Sequence, residues 1–212
     1  MSNFQPRRVM VLAPHTDDGE LGCGGSIARF IEAGAEVFYT AFSVCEQSLP
    51  EGMPKDTLEV ELVEATGTLG IPRENLVIHR YEVRKLSEHR QSVLQDIIQV
   101  RNQVKPDLVF LPCLDDLHQD HRTVALEGLR AYKGTTVLSY EMPWNNISIT
   151  TSAFIGLEDR HVARKAEALT CYRSQAGRPY TNEEFVRSLA RTRGVQIGVH
   201  YAEAFEAVRL IV

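Results

Sequence analysis

Short, unbroken apolar runs alternate along this chain with longer segments whose apolar residues recur every three or four positions. Val9-Met10-Val11-Leu12-Ala13 and Leu108-Val109-Phe110-Leu111 are runs of the first kind. A strand with no polar side has both faces covered, as in the interior of a parallel sheet. Val93, Leu94, Ile97, Ile98 and Val104 instead mark one face of a helix. The pattern predicts strands at residues 8–13, 36–44, 76–81, 107–113 and 135–141. It predicts helices at residues 21–33, 58–69, 86–104 and 122–132, with Gly34 and Gly70-Ile71-Pro72 as stops. This strand–helix rhythm predicts an α/β fold with a parallel, doubly wound sheet.

The last third breaks the rhythm. Residues 148–157 read as extended, 158–172 and 182–193 as helical, and 200–212 as a strand. Gly177-Arg178-Pro179-Tyr180 makes a loop between the two helices. This region is expected to decorate one sheet edge and to contribute to a substrate pocket. No repeat, low-complexity segment or linker divides the chain, so residues 1–212 read as a single domain.

Composition narrows the function classes. The formal net charge is −5, which gives no general attraction to nucleic acid or to an acidic membrane. No apolar stretch is long enough to span a bilayer, and the first eight residues lack a signal peptide's apolar core, so the expected compartment is the cytoplasm. The four cysteines, Cys23, Cys45, Cys113 and Cys171, are far apart and read as reduced packing residues. A homo-oligomer is left open.

Two clusters carry the chemistry. The first strand runs into Pro14-His15-Thr16-Asp17-Asp18, and a later strand is followed by Leu117-His118-Gln119-Asp120-His121. Both would sit at the carboxyl ends of strands, where open α/β sheets bind ligands. His15 and Asp18 are three apart, so a tight turn or first helical turn lets both grip one ion. His121 supplies a third ligand from the second loop. Three protein ligands leave positions open for water and substrate, as in catalytic zinc sites. The same donors accept Fe(II), Mn(II) or Co(II). Asp17 is then a candidate general base, and His118 a candidate oxyanion stabiliser or acid. Asp120 is placed to orient a histidine ligand.

Other features are weaker pointers. Gly22-Cys23-Gly24-Gly25 lacks dinucleotide-binding spacing and reads as close helix–sheet packing. Trp144 is a candidate for stacking on a sugar face. Arg90, Arg178 and Tyr180 are further substrate-binding candidates. His200 reads as structural.

The segment Pro-His-x-Asp-Asp-Gly-Glu-Leu-Gly-Cys-Gly-Gly, together with the later His-x-Asp-His, resembles the LmbE/PIG-L family of metal-dependent N-acetyl-sugar deacetylases. Further landmarks are Lys105-Pro106-Asp107, Lys165 with Tyr172-Arg173-Ser174-Gln175, and Tyr201-Ala202-Glu203-Ala204-Phe205, so the likeness runs over essentially the whole chain. The resemblance implies a Rossmann-like three-layer sandwich with a C-terminal edge extension. It implies one divalent ion per chain, Zn2+ before Fe2+, held by His15, Asp18 and His121. It also implies Asp17 as base, His118 as electrophile or acid, and a small N-acetylated sugar or conjugate as substrate. Thr16 departs from the proline common in the family, at a position that is not a ligand. Two rival functions have less behind them. A metal-dependent phosphoesterase would want a second ligand set, and a non-catalytic sugar- or nucleotide-binding module would need neither Asp17 nor His118.

Overall fold

β1 (Arg8–Ala13) belongs to two cores at once. Val9, Val11 and Ala13 lie in one buried cluster, and Met10 and Leu12 in another. That double burial is why the strand has no polar side. The computed structural model describes residues 5–211; Met1–Phe4 and Val212, the end of the expected last strand, lie outside them. β1 is flanked by β2 (Glu36–Ala41) and then β3 (Leu76–Ile78) on one side. On the other side lie β4 (Leu108–Pro112), β5 (Thr136–Tyr140), β7 (Tyr201–Arg209) and β6 (Ala153–Leu157), in that order. β1 to β5 run parallel, while β7 is antiparallel to both β5 and β6. The sheet is therefore mostly parallel, with the expected extension at one edge.

One face of the sheet is covered by α1 (Asp18–Glu32), α2 (Thr57–Leu69), α5 (Asp159–Thr170) and α6 (Glu183–Gln196). The other is covered by α3 (Arg90–Val104) and α4 (Gln119–Ala131). The strand order reverses between β1 and β4, which places a crevice at their carboxyl ends. Among the described residues, no helix is long and apolar enough to cross a membrane.

Several boundaries differ from the sequence expectation, each for a local reason. α1 starts at Asp18 rather than at residue 21, because its first hydrogen bond runs from Leu21 N to the Asp17 carbonyl. Gly19 and Gly22 disguise this start. A Cβ at Gly19 would lie 2.4 Å from Tyr39 Cε2, and one at Gly22 would lie 2.3 Å from Tyr140 Cδ2. The glycines thus serve close helix–sheet packing, as expected. The expected helix over residues 86–104 is split into a 3-10 turn at Leu86–His89 and α3 proper. Arg84 adopts φ +70°, and the backbone N–H groups of Arg84 and Leu86 turn to the Asp120 carboxylate at 2.5 and 3.1 Å instead of entering a helix. α4 begins three residues early, at Gln119, because His118 caps it.

α1 is kinked at Cys23, whose φ of −145° interrupts the helical ladder. The restarted helix has free N–H groups. Glu203 of β7 accepts them, from Gly25 N at 3.0 Å and Ser26 N at 2.7 Å, and also takes the Ser26 hydroxyl at 2.6 Å. Lys165 of α5 neutralises Glu203 at 2.7 Å and donates to the Leu21 carbonyl at 2.7 Å. Both partners are buried. Removing one partner of a buried pair leaves an uncompensated charge. Lys165→Met is therefore expected to lower the unfolding free energy by about 3–5 kcal/mol, read from urea unfolding midpoints at unchanged slope. A loss below about 1 kcal/mol, the size of an exposed pair, would show that the helix N–H groups alone satisfy Glu203.

Candidate metal and catalytic site

The loop after β1 and the loop after β4 meet at the crevice. His15 leaves β1 through Pro14, and Asp18 opens α1 with its carboxylate turned back to accept His15 N at 2.8 Å. His121 lies in the first turn of α4. The side chains converge on one point. His15 Nδ1 lies 3.1 Å from Asp18 Oδ2, His121 Nε2 lies 3.3 Å from the same oxygen, and the two ring nitrogens are 3.2 Å apart. All three side chains are buried.

The outer ring nitrogens fix the tautomers. His15 Nε2 faces Asp120 Oδ2 at 3.1 Å, and His121 Nδ1 faces Asp116 Oδ2 at 2.8 Å. With each outer nitrogen donating to its carboxylate, both inner nitrogens carry lone pairs. Two lone pairs and a carboxylate oxygen, which accepts from the His15 backbone N–H, then point at one another with no ring proton between them. Such a cluster calls for a cation. Burial alone would lower the His121 pKa, but Asp18 and Asp116 outweigh it and raise it to about 10. Burial likewise opposes ionisation of Asp18, yet His121 and His15 hold it well below the usual carboxylate range. The spacing suits a metal as well. Tetrahedral ligands on bonds of about 2.0–2.1 Å are about 3.3 Å apart, close to the observed separations.

His118 stands beside this trio, with ring centroids 4.8 Å from those of both His15 and His121. One nitrogen from each of the three imidazoles falls within 4.8 Å of the others. That grouping is looser than the set with Asp18, and His118 Nδ1 is already engaged, accepting from Asp120 N at 3.1 Å as the cap of α4. A neutral His118 therefore carries its proton on Nε2. Burial and the two neighbouring imidazoles push its pKa down to about 4.

Asp17 is buried at the N-terminus of α1 and makes no side-chain capping bond there. Burial raises its pKa and the Asp18 charge adds to this, while His15 and Arg178 oppose it. Asp17, His118 and the convergent trio line a cavity of about 200 Å³. Trp144, Gln175, Arg178 and Tyr180 form part of its wall. Tyr180 stacks on Trp144 at 3.9 Å with a 7° tilt, so one indole face is already occupied by protein. Arg90, the remaining substrate-binding candidate, is not at the cavity. It bonds the buried Glu127 at 2.7 Å on the face covered by α3 and α4, which explains a cation at that helix start without a ligand.

Two supports lie outside the motifs. Asp116 is the first; it holds His121 and also accepts His118 N at 2.8 Å. Its place two residues before His118 was the available signal. The second is a polar cage under the ligand turn. The Thr16 carbonyl accepts from Tyr39 Oη at 3.0 Å and from Tyr172 Oη at 2.7 Å. The same hydroxyls contact the Glu20 carboxyl at 2.6 and 2.8 Å. Burial pushes Glu20 up to about 8 despite these bonds. The cage pins the backbone between His15 and Asp17. No spacing rule links residues 16, 20, 39 and 172.

Comparison with known proteins gives the family and the fold. A family model described as PIG-L: GlcNAc-PI de-N-acetylase matches residues 10–132. A curated relative, the uncharacterized deacetylase YaiS of Escherichia coli (strain K12), is 26% identical over 176 residues, covering 78% of this chain and 90% of its own. The N,N'-diacetylchitobiose deacetylase of Pyrococcus horikoshii superposes with a TM-score of 0.79 at 21% identity, over 95% of this chain and 83% of its own. GalB of Pseudomonas putida KT2440, a 4-carboxy-2-hydroxymuconate hydratase, gives 0.78 at 20% identity, over 97% and 98% of the two chains. Both structures share the fold. The family model spans more than half of the 212 residues and both loops of the crevice, and the chain belongs to the PIG-L family of deacetylases.

Proposed function

We propose that this protein is a metal-dependent N-deacetylase that hydrolyses the acetamide of an N-acetylated amino sugar or sugar conjugate, releasing acetate and a free amine. The observation that carries the proposal is the convergence of His15 Nδ1, Asp18 Oδ2 and His121 Nε2 to within 3.1–3.3 Å, beside the buried and uncapped Asp17. These three donors would hold the ion. Nitrogen and carboxylate ligands suit Zn2+ first and accept Fe2+ or another divalent ion. When bound, the metal lowers the pKa of an attacking water and polarises the acetamide carbonyl.

The chain's own residues do the rest. Asp17 accepts the water's proton; its burial beside Asp18 makes it a stronger base than an ordinary carboxylate. His118 stays neutral and offers Nε2–H to the carbonyl oxygen as charge develops there, a role that its bond from Asp120 N prepares. The C–N bond breaks as the Asp17 proton passes to the departing nitrogen. The cavity of about 200 Å³ is smaller than the roughly 300–1,000 Å³ of pockets for drug-sized ligands. It suits one sugar ring with its acetamide, with Trp144, Arg178 and Tyr180 against the ring or its substituents.

Roles and ligands separate in a single experiment. His15→Ala and His121→Ala proteins are expected to lose the divalent ion on elemental analysis. Asp17→Asn should keep it while acetate release falls about 10²–10⁴-fold. Undiminished metal in both histidine variants would remove the ligand assignment. Metal loss in Asp17→Asn would exchange the roles of the two aspartates.

Asp116 gives an independent check. An outer carboxylate on a ligating histidine is worth about 10–100-fold in metal affinity. Asp116→Ala is expected to weaken metal binding by that factor in competition with a chelator. Unchanged affinity would mean that His121 presents its Nε2 lone pair without help from Asp116.

A further inference from the structure

The end of the sheet away from the crevice gathers cations without partners. Leu108 of β4 pairs with Thr136 of β5, and Val137 of β5 pairs with Arg209 of β7, so the amino ends of β4 and β5 lie beside the carboxyl end of β7. Lys105 follows α3 just before β4, Lys133 follows α4 just before β5, and Arg209 closes β7. Arg101, one turn before Lys105, borders a shallow hollow with Lys105 and Thr135. Two of these cations are fixed on the end of α4. Arg101 Nη1 donates to the Ala131 carbonyl at 2.7 Å, and Arg209 Nη1 to the Tyr132 carbonyl at 2.8 Å.

Among the described residues none of Arg101, Lys105, Lys133 and Arg209 is in an ion pair, whereas Arg80, Arg160, Arg187 and Arg193 each have one. Arg130, in the last turn of α4, adds to the patch. It shares the buried carboxylate of Glu127 with Arg90, so one of the two charges is left over. Among the acids at this end, Asp107 turns its carboxylate to Arg7 N and Arg8 N at 2.9 Å each. Glu36 and Glu74 border a separate hollow with Arg8, on the side of β2 and β3. The end of α4 accounts for Arg101 and Arg209, because cations favour the carboxyl end of a helix. It does not account for the exposed Lys105 and Lys133. Nor does it account for Leu210 and Ile211, which follow Arg209 and are 62% and 46% exposed. Their backbone is anchored: Ile211 N donates to Thr136 Oγ1, which donates back to the Ile211 carbonyl, both at 3.1 Å.

We propose that this end of the molecule docks on an anionic lipid surface, with the cations among the phosphate headgroups and Leu210 and Ile211 entering the boundary with the acyl chains. Charge complementarity selects an anionic occupant, whereas a second copy of the same face would set cation against cation. The apolar pair selects lipid over nucleic acid, whose phosphate backbone gives it nothing to bury against. The net charge of −5 does not oppose docking. Charges farther from the contact than a Debye length, about 8 Å at physiological salt, are largely screened. In this pose the crevice faces away from the lipid. None of these residues lines the cavity, so the inference stands apart from the deacetylase reading.

The test is co-sedimentation of the full chain with vesicles of phosphatidylcholine alone, and with about a third phosphatidylglycerol added. The mixed vesicles are expected to bind at least about tenfold more tightly at low salt, a difference that shrinks as salt is raised. Each cation at an anionic surface is worth about a fivefold change in affinity, so Lys105→Asn with Lys133→Gln should weaken binding roughly 25-fold. Both lysines are exposed, and asparagine tolerates the φ of +50° at position 105, so the thermal unfolding midpoint should stay in place. Leu210→Ser with Ile211→Ser should weaken binding to the same vesicles while leaving its salt dependence unchanged. Trp144, the single tryptophan, lines the cavity at the opposite end, and brominated lipid should not quench it. Quenching of Trp144 would put the mouth of the cavity on the lipid and overturn the proposal. Equal binding to neutral and anionic vesicles would overturn it, as would binding that survives the lysine changes. Retention by duplex DNA in preference to the anionic vesicles, indifferent to the Leu210 and Ile211 changes, would overturn it in favour of a nucleic acid. Self-association in sedimentation velocity that the Leu210 and Ile211 changes abolish would assign the face to a second copy instead.

Discussion

Three acceptors aimed at one point are unstable unless a positive charge sits among them. His15 Nδ1, Asp18 Oδ2 and His121 Nε2 are held in that arrangement, and much of the surrounding structure maintains it. Asp120 and Asp116 remove the freedom to relieve it by changing tautomer. Asp120 is itself held by Arg84 N and Leu86 N, which is why the chain before α3 forms a turn rather than helix. A ligand set prepared in this way trades local stability for affinity. The cost is met by two well-packed cores and by the Lys165–Glu203 pair that secures the kinked α1.

The cage of Tyr39, Tyr172 and Glu20 is the complement of this arrangement on the backbone side. A turn that carries a ligand, a base and a second ligand within four residues has little hydrogen bonding of its own. Two tyrosine hydroxyls on the Thr16 carbonyl supply it. The tyrosines come from β2 and from the end of α5, so the turn is anchored to elements far away in sequence. Where the family commonly has proline, this chain has Thr16. The cage explains how the turn remains rigid without a fixed φ at that position.

Much of this was legible in the sequence, and the reason is local. His15, Asp18, His118, Asp120 and His121 sit within a few residues of strand ends, where spacing alone relates them. The strands of the parallel sheet were legible because they are buried on both faces and so read as apolar runs. What escaped were relations between distant segments. Glu203 capping the second half of α1, Asp120 recruiting Arg84 and Leu86, and Tyr172 reaching Thr16 and Glu20 each join residues more than thirty positions apart. Arg90 shows the opposite error. A polar helix position suits solvent or substrate from the sequence alone, and the buried Glu127 that claims Arg90 is invisible until the helices are packed.

The convergent donors and one side of the cavity wall belong to different parts of the chain. The family model ends at residue 132, after every convergent donor, Asp17 and His118. Trp144, Gln175, Arg178 and Tyr180, which line the wall, all lie beyond it. The shared segment dictates where the convergent donors, Asp17 and His118 stand, because those positions follow from the strand order at β1 and β4. This part of the wall hangs on the connection after β5 and on the loop between α5 and α6, which the sheet does not constrain in this way, while Cys45, Ser48, Leu58 and Val83 line the cavity from within the matched segment. Loops of this kind can change which substituents they admit while the donors beneath them stay fixed.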